Sequence, residues 1–246
     1  MELQSFWKLC YTSIMTPSII FEDNHLLVVI KPQGIPTQPD ASGDADMLSI
    51  LKSHRQASEE KPGEAFVGMI HRLDRVTGGV MVFAKTSKAA SRLSAQLKDN
   101  QFTKRYLAIV TSTPKKNSET LIHYLLKNEK DNKVDIVGMA VAGAKRAELT
   151  YTINETRNNQ ALLEVDLLTG RSHQIRVQLN AIGCPIVGDR KYGRPQTAPT
   201  VPLALWAHQL SFIHPTTGDN MKFIVNPPED GAWINFDFQR KSHKTR

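Results

Sequence analysis

Apolar residues along this chain fall into short runs, some alternating and some at helical spacing. Between residues 19 and 30 two such runs flank Asp23-Asn24, which predicts two strands joined by a tight turn. The stretch Lys31-Pro32-Gln33-Gly34-Ile35-Pro36 then breaks regular structure. Residues 47–54 place Met47, Ile50 and Leu51 at helical spacing and predict a short helix; residues 54–63 are polar and read as a surface loop. Strand-like runs at 66–70 and 80–84 flank a polar turn. In 87–99, Ala89, Leu93 and Leu97 share one helical face, with Thr86 or Ser87 available as cap. Residues 102–110 alternate, with Tyr106, Ala108 and Val110 on one face and Arg105, Leu107 and Ile109 on the other. Residues 115–145 carry no decipherable motif and read as loop. Further strands are predicted over 147–153, 161–168, 203–213 and 221–225. Residues 172–182 predict an amphipathic helix capped by Ser172, with Ile175, Leu179 and Ile182 inward and Gly183 as its stop. Strands outnumber helices and often follow one another directly. The order predicts an α+β fold with a large mixed, mainly antiparallel sheet flanked by helices and loops.

The chain has 246 residues, 40% hydrophobic and 22% charged, which suits a globular protein with a sizeable core. No apolar run is long enough to cross a bilayer. The first fifteen residues carry Glu2 and Lys8 and do not read as a secretory signal, so a cytoplasmic location without membrane contact is expected. Cys10 and Cys184 lie far apart and read as reduced thiols, neither a disulfide framework nor a metal knuckle. The net charge of +7 favours a polyanionic partner, although a merely basic soluble protein would serve charge alone equally well.

Three segments carry candidate chemistry. His71-Arg72-Leu73-Asp74-Arg75-Val76-Thr77-Gly78-Gly79 joins two strands, so it is a loop on a rigid support. One carboxylate, Asp74, stands among cations, and the glycine pair lets the backbone turn sharply. A solvated turn with local ion pairs is the plainer reading of this string by itself. In Lys104-Arg105-Tyr106-Leu107-Ala108-Ile109-Val110, Tyr106 can stack on an unstacked nucleobase or simply face a core. In Thr169-Gly170-Arg171-Ser172-His173-Gln174-Ile175-Arg176, Arg171 sits where a helix N-terminus attracts anions. Arg176, a turn later, projects from the polar face, where it would be either functional or merely solvated.

Taken together these segments resemble the RluA family of RNA pseudouridine synthases, in the family's order and at similar spacing. His71-Arg72-Leu73-Asp74 with Thr77, Gly79 and Ala84-Lys85-Thr86 matches HRLDxxTSG and the AKT that follows. Lys104, Tyr106, Ala108 and Val110 match KxYxAxV. Gly170, Arg171, His173 to Arg176 and Leu179 match GRxHQIRxxL. Residues 183–193 are similar to GxPIxGDxxYG, and residues 26–36 hold a KPxGxP signature. One departure is Gly78 where the family commonly has Ser. The short members, which lack an N-terminal S4-type module, are the ones most resembled.

The resemblance implies a pseudouridine synthase fold and isomerisation of uridine to pseudouridine in structured RNA, ribosomal or transfer RNA or both. Asp74 would be the catalytic carboxylate, attacking sugar or base or abstracting a proton at C2′. Arg176 would pair with Asp74, and Tyr106 would stack on the uracil and accept the C5 proton. Arg72 would take the place of the extruded nucleotide. Arg75, Arg171 and Lys191 are phosphate candidates; Thr77 and Gln174 complete the RNA-binding set, and His71 and His173 shape its loops. No cofactor, no metal and no obligatory protein partner are implied, and a monomer is expected. The expected organisation is an N-terminal extension over 1–18, a catalytic domain over 19–238 and a basic tail over 239–246. Rival readings are a catalytically inactive RNA-binding or ribosome-assembly factor of the same fold, and a metal-dependent hydrolase built on His71, Asp74, His173 and His208.

Overall fold

A computed structural model describes residues 17–59, 65–193 and 201–238. The expected N-terminal extension up to residue 16, with Cys10, and the basic tail lie outside the described residues. The chain divides into two compact units. One comprises the described residues up to Gln101 together with Ile213–Asn220; the other runs from Phe102 to Phe212 and resumes at Met221.

In the first unit, β1 (Ser18–Glu22) and β2 (Leu26–Lys31) form an antiparallel pair. The turn between them is tied by Asp23, whose Oδ1 accepts from the N–H groups of His25 and Leu26 at 2.7 Å each. β2 pairs antiparallel with β4 (Gly78–Ala84), and the short β3 (Gly68–Met69) adds to β4. Residues 26–29 and 80–84 are buried almost without remainder. Burial on both faces explains why these strands read as continuous apolar runs rather than alternation. Gly78-Gly79 opens β4 instead of only loosening the loop before it: Gly79 takes φ +123 opposite Lys31.

Helix α1 (Met47–Glu59) runs five residues past the predicted 47–54, into a stretch expected to be loop. Arg55 is the cause. It is buried, and its guanidinium donates to the carbonyls of Phe66 and Lys85, which holds the added turn against the strands. In α2 (Ser87–Lys98) the cap is Thr86, which accepts from Ala89 N. The returning segment is anchored here too. His214 Nε2 donates to Asp23 at 2.8 Å, because its Nδ1 already accepts two backbone N–H groups, and Arg92 donates to Pro215 O at 2.6 Å.

The second unit is built on the strand order β10–β5–β9–β8–β6–β7, with β11 beside β10. The strands are β5 (Thr103–Val110), β6 (Ser118–Asn128), β7 (Lys133–Val137), β8 (Lys145–Arg157), β9 (Gln160–Leu167), β10 (Leu205–Ile213) and β11 (Asn220–Ile224). From β10 to β7 each neighbouring pair runs antiparallel. Residues 115–145, expected to be loop, contain the β6–β7 hairpin. Its turn is pinned by Asn128 Oδ1, which accepts from Lys130 and Asp131 N–H, with Asn132 at φ 48.

Helix α3 (Gln174–Ala181) departs most from expectation. Residues 174–179 are all buried, and only Asn180 and Ala181 at its end are exposed, so the polar side of its first turns is interior. The hairpin covers it: Val177 packs with Leu125, Val134 and Ala147, and Tyr192 packs against that cluster. Ser172 does not cap it. His173 is the N-cap residue, in the left-handed region at φ 51, with no side-chain cap bond. Gln174, the first helical residue, instead ties down the segment leading into the helix, its Oε1 accepting from Arg171 N at 3.0 Å and Thr169 Oγ1 at 2.8 Å. Among the described residues no helix is long and apolar enough to cross a membrane.

Candidate active site

The Asp74 loop is held on its backbone by residues 31–37. Leu73 is fixed at both ends of its peptide unit: its N–H donates to Thr37 Oγ1 and its carbonyl accepts from the same hydroxyl at 2.9 Å. The carbonyl of Arg75 accepts from Gly34 N at 2.8 Å, and Val76 O accepts from Gln33 Nε2 at 2.8 Å. Thr77 N donates back to Asp74 O, closing the turn. These bonds fix the backbone on both sides of Asp74, which is itself half-buried.

Beneath the loop lies Lys31, with 0% of its surface exposed. Its Nζ donates to Pro32 O at 2.8 Å, Ile35 O at 2.6 Å and Arg75 O at 3.2 Å. An ammonium has three N–H donors, and three carbonyls receive them. Burial pushes Lys31 down to about 7, against the pull of the Asp74 carboxylate and with a further push from Arg75. Lys31 was visible only as the first residue of KPxGxP, and nothing local in sequence links it to a loop forty residues on.

The other residues of this loop divide by environment. Arg72 is exposed. Arg75 is engaged within the protein by Asp40 at 2.9 Å and Asp44 at 2.5 Å. Hydrogen bonds from Ser42 and then Arg75 hold the Asp40 carboxyl at about 2. Thr77 is buried. His71 Nε2 accepts from Val82 N at 3.2 Å, which makes the ring a brace between loop and β4.

In the second unit Tyr106 sits on β5 and is 8% exposed. Arg105, on the opposite face, pairs with Asp166 at 2.7 Å and Glu164 at 3.2 Å. Arg176, read from sequence as projecting from a polar face, is buried. Its Nε and Nη2 clamp Asp189 at 2.8 and 2.7 Å, with side-chain exposures of 6% and 1%. Asp189 also accepts from the N–H groups of Lys191 and Tyr192. Burial pushes its carboxyl up, but Arg176 and these N–H groups outweigh that and hold it below the usual carboxylate range. The Tyr192 ring lies 5.2 Å from the Arg176 guanidinium carbon, and its hydroxyl accepts from Val134 N at 2.9 Å and shares a hydrogen bond of 2.6 Å with His173 Nδ1. Sequence reasoning quoted Asp189 and Tyr192 in GDxxYG without giving them a task; the structure makes them the surroundings of Arg176. Gly188, before them, must be glycine: at φ +78, a Cβ would lie 2.3 Å from Pro202 O.

Arg171 is exposed, its Nε donating to Arg146 O at 3.0 Å. Gln174 is buried with both ends used inside the protein, its Nε2 on Glu148 O. Lys191 donates to Asn132 O at 2.8 Å. The structure therefore gathers His71, Arg72, Asp74, Arg75 and Thr77 in one unit, and Tyr106, Arg171, His173, Gln174, Arg176 and Lys191 in the other. Among the described residues, no three His, Cys, Asp or Glu side chains gather as a metal site would require.

The family model for RNA pseudouridylate synthase matches residues 25–181. Ribosomal large subunit pseudouridine synthase D of Zymomonas mobilis is 35% identical over 222 residues, covering 86% of this chain and 69% of that protein. The dual-specificity RNA pseudouridine synthase RluA of Salmonella typhimurium is 34% identical over 212 residues, covering 84% of this chain and 91% of that one. The chain belongs to the RNA pseudouridylate synthase family. Its fold agrees: the solved structure of human RNA pseudouridylate synthase domain containing 4 superposes with a TM-score of 0.75 at 24% identity, covering 91% of this chain and 94% of that one. The α+β pseudouridine synthase fold expected from the motifs is the fold observed.

Proposed function

We propose that this chain isomerises uridine to pseudouridine in ribosomal or transfer RNA, with Asp74 as the catalytic carboxylate. The observation that carries the reading is the fastening of the Asp74 loop. Backbone bonds on both sides of the acid hold it on a rigid element, with the exposed cation Arg72 next to it. Preorganisation of this kind suits a group that must attack or deprotonate in one orientation. The N1–C1′ bond breaks, the uracil turns, and C5 bonds to C1′. Substrate and product are isomers, so no electrons are exchanged and no redox cofactor is called for.

By the family resemblance, Tyr106 would stack on the uracil and receive the C5 proton, and Arg176, which in this structure clamps Asp189, would be the partner of Asp74. Arg72 fills the place of the extruded nucleotide. Arg171 contacts phosphate; Arg75, already engaged by Asp40 and Asp44, braces the loop from the side, and Gln174 holds backbone at Arg171 and Glu148. The protein acts as a cytoplasmic monomer.

Release of tritium from RNA labelled at uridine C5 tests the reading. The full chain should release it from ribosomal or transfer RNA transcripts, and Asp74→Asn should bind the same RNA but release none. Normal turnover by Asp74→Asn would overturn the assignment. Binding without release by the unaltered chain would return it to the role of an RNA-binding or assembly factor.

A further inference from the structure

Lys104 opens the KxYxAxV motif, yet nothing in the reaction outlined above uses it. It stands two residues before Tyr106 in β5, so both side chains leave the same face of the strand, about 7 Å apart along it. The side chain is half-buried, and burial alone pushes its ammonium below the usual lysine range. Among the described residues no carboxylate and no hydrogen-bond acceptor partners it, whereas other partly or fully buried cations of this protein are matched. Arg105 has Asp166 and Glu164, Lys85 has Glu22 at 2.7 Å, and the buried Lys31 has three carbonyls. A cation withdrawn from water without an acid is unfavourable in the free protein and becomes favourable when an anion arrives.

The space above that ammonium is kept open by Gly170. A Cβ built there would meet the Lys104 Nζ at 3.5 Å and nothing else within 4 Å. Its φ lies outside the left-handed region, so the backbone does not demand glycine at this point. What the missing side chain provides is access. Arg171 follows directly, its N–H taken by Gln174 and its Nε by Arg146 O, which leaves its terminal nitrogens for a second contact on the same anion or the next.

We infer that Lys104, under the bare backbone of Gly170, seats a phosphodiester of the RNA immediately beside the uridine that is isomerised. The inference rests on the reading of Tyr106 as the residue that stacks on that uracil: the strand face that receives the base then also receives the adjacent backbone charge. A single ammonium in a partly dry notch suits the single negative charge of a diester through one charge-assisted hydrogen bond.

The test compares the full chain with Lys104→Gln, Lys104→Arg and Gly170→Val, each checked for an unchanged thermal midpoint, on a ribosomal RNA hairpin that the full chain modifies. Lys104→Gln should weaken binding about tenfold or more. The slope of log affinity against log salt should flatten by roughly 0.7 to 0.9. Its KM should rise by more than its kcat falls. Lys104→Arg should keep the slope. Gly170→Val, which leaves the charge but covers it, should weaken binding as Lys104→Gln does. In a scan replacing single phosphates by neutral methylphosphonates, one position flanking the target uridine should cost the full chain the same affinity and cost Lys104→Gln nothing further. An unchanged slope in Lys104→Gln would overturn the inference, as would methylphosphonate losses equal in both proteins at every position. A variant with normal KM and collapsed kcat would also overturn it. If the full chain bound ribosomal and transfer RNA but isomerised neither, the proposed function would fail, and the same salt slopes and methylphosphonate scan on an RNA hairpin that the chain binds would still decide whether Lys104 seats a phosphodiester.

Discussion

A fully buried lysine has to be satisfied atom by atom, and Lys31 is: three N–H donors meet three carbonyls, one of them belonging to the residue after Asp74. Its burial carries a pH signature. Its folded value of about 7 lies below the 10.5 of an unperturbed lysine. Between those values the unfolded chain holds more protons than the folded one, so this residue makes stability rise with pH across that window. Urea unfolding of the full chain and of Lys31→Met at pH 6, 8 and 9.5 should show the stability difference between them growing in favour of the full chain above pH 7. Parallel pH profiles would mean that Lys31 is not the buried titrating group. At this scale the loop around Asp74 is legible in the sequence, because the acid and its flanking residues are consecutive. Lys31 and Asp189 are hidden in it, because their bonds run to residues far along the chain or across a bend that no periodicity encodes.

Helix α3 and the hairpin that covers it show what elements add. The run Leu121-Ile122-His123-Tyr124-Leu125-Leu126 is apolar on both faces, so its alternation is blurred and β6 escaped detection; Ile122 is 49% exposed while Leu121 and Leu125 are buried. Once β6 and β7 are in place, the polar side of α3 is interior, and Arg176 needs the counter-charge that Asp189 supplies. By contrast α2 was legible from its apolar spacing and Thr86 cap, because one of its sides does face solvent. Removing one member of a buried pair strands the other. Asp189→Asn should therefore destabilise the protein by about 3 kcal/mol or more, measured by urea unfolding near neutral pH. A loss under about 1 kcal/mol, the range of exposed pairs, would mean that water reaches the pair. Because Arg176 is tied to Asp189 in this way, Arg176→Ala should lose stability as well as turnover; the two are separated by assaying well below its thermal midpoint.

Across the whole molecule the +7 charge becomes informative once local pairing is subtracted. Arg75 and Arg105 are matched by carboxylates, whereas Arg72 and Arg171 are exposed cations of the two motif loops. RNA affinity should fall steeply with salt, and Arg171→Ala should flatten the log–log slope by roughly 0.7 to 0.9. Deleting residues 240–246 tests the tail alone, and an unchanged slope would assign it to solvent. The strand-rich α+β class could be read from the order of the elements. The division into units could not, because it follows from a return of the chain rather than from any change in composition. Ile213–Asn220 belongs with the first unit, fastened by His214 to Asp23 and by Arg92 to Pro215. During synthesis, which proceeds at about 5 to 20 residues per second, the body that holds Asp74 must therefore wait for a strap encoded more than a hundred residues later. Until that strap has left the ribosome the loop around Asp74 stands on an unfinished support, so the first unit can be completed only after most of the second has been made.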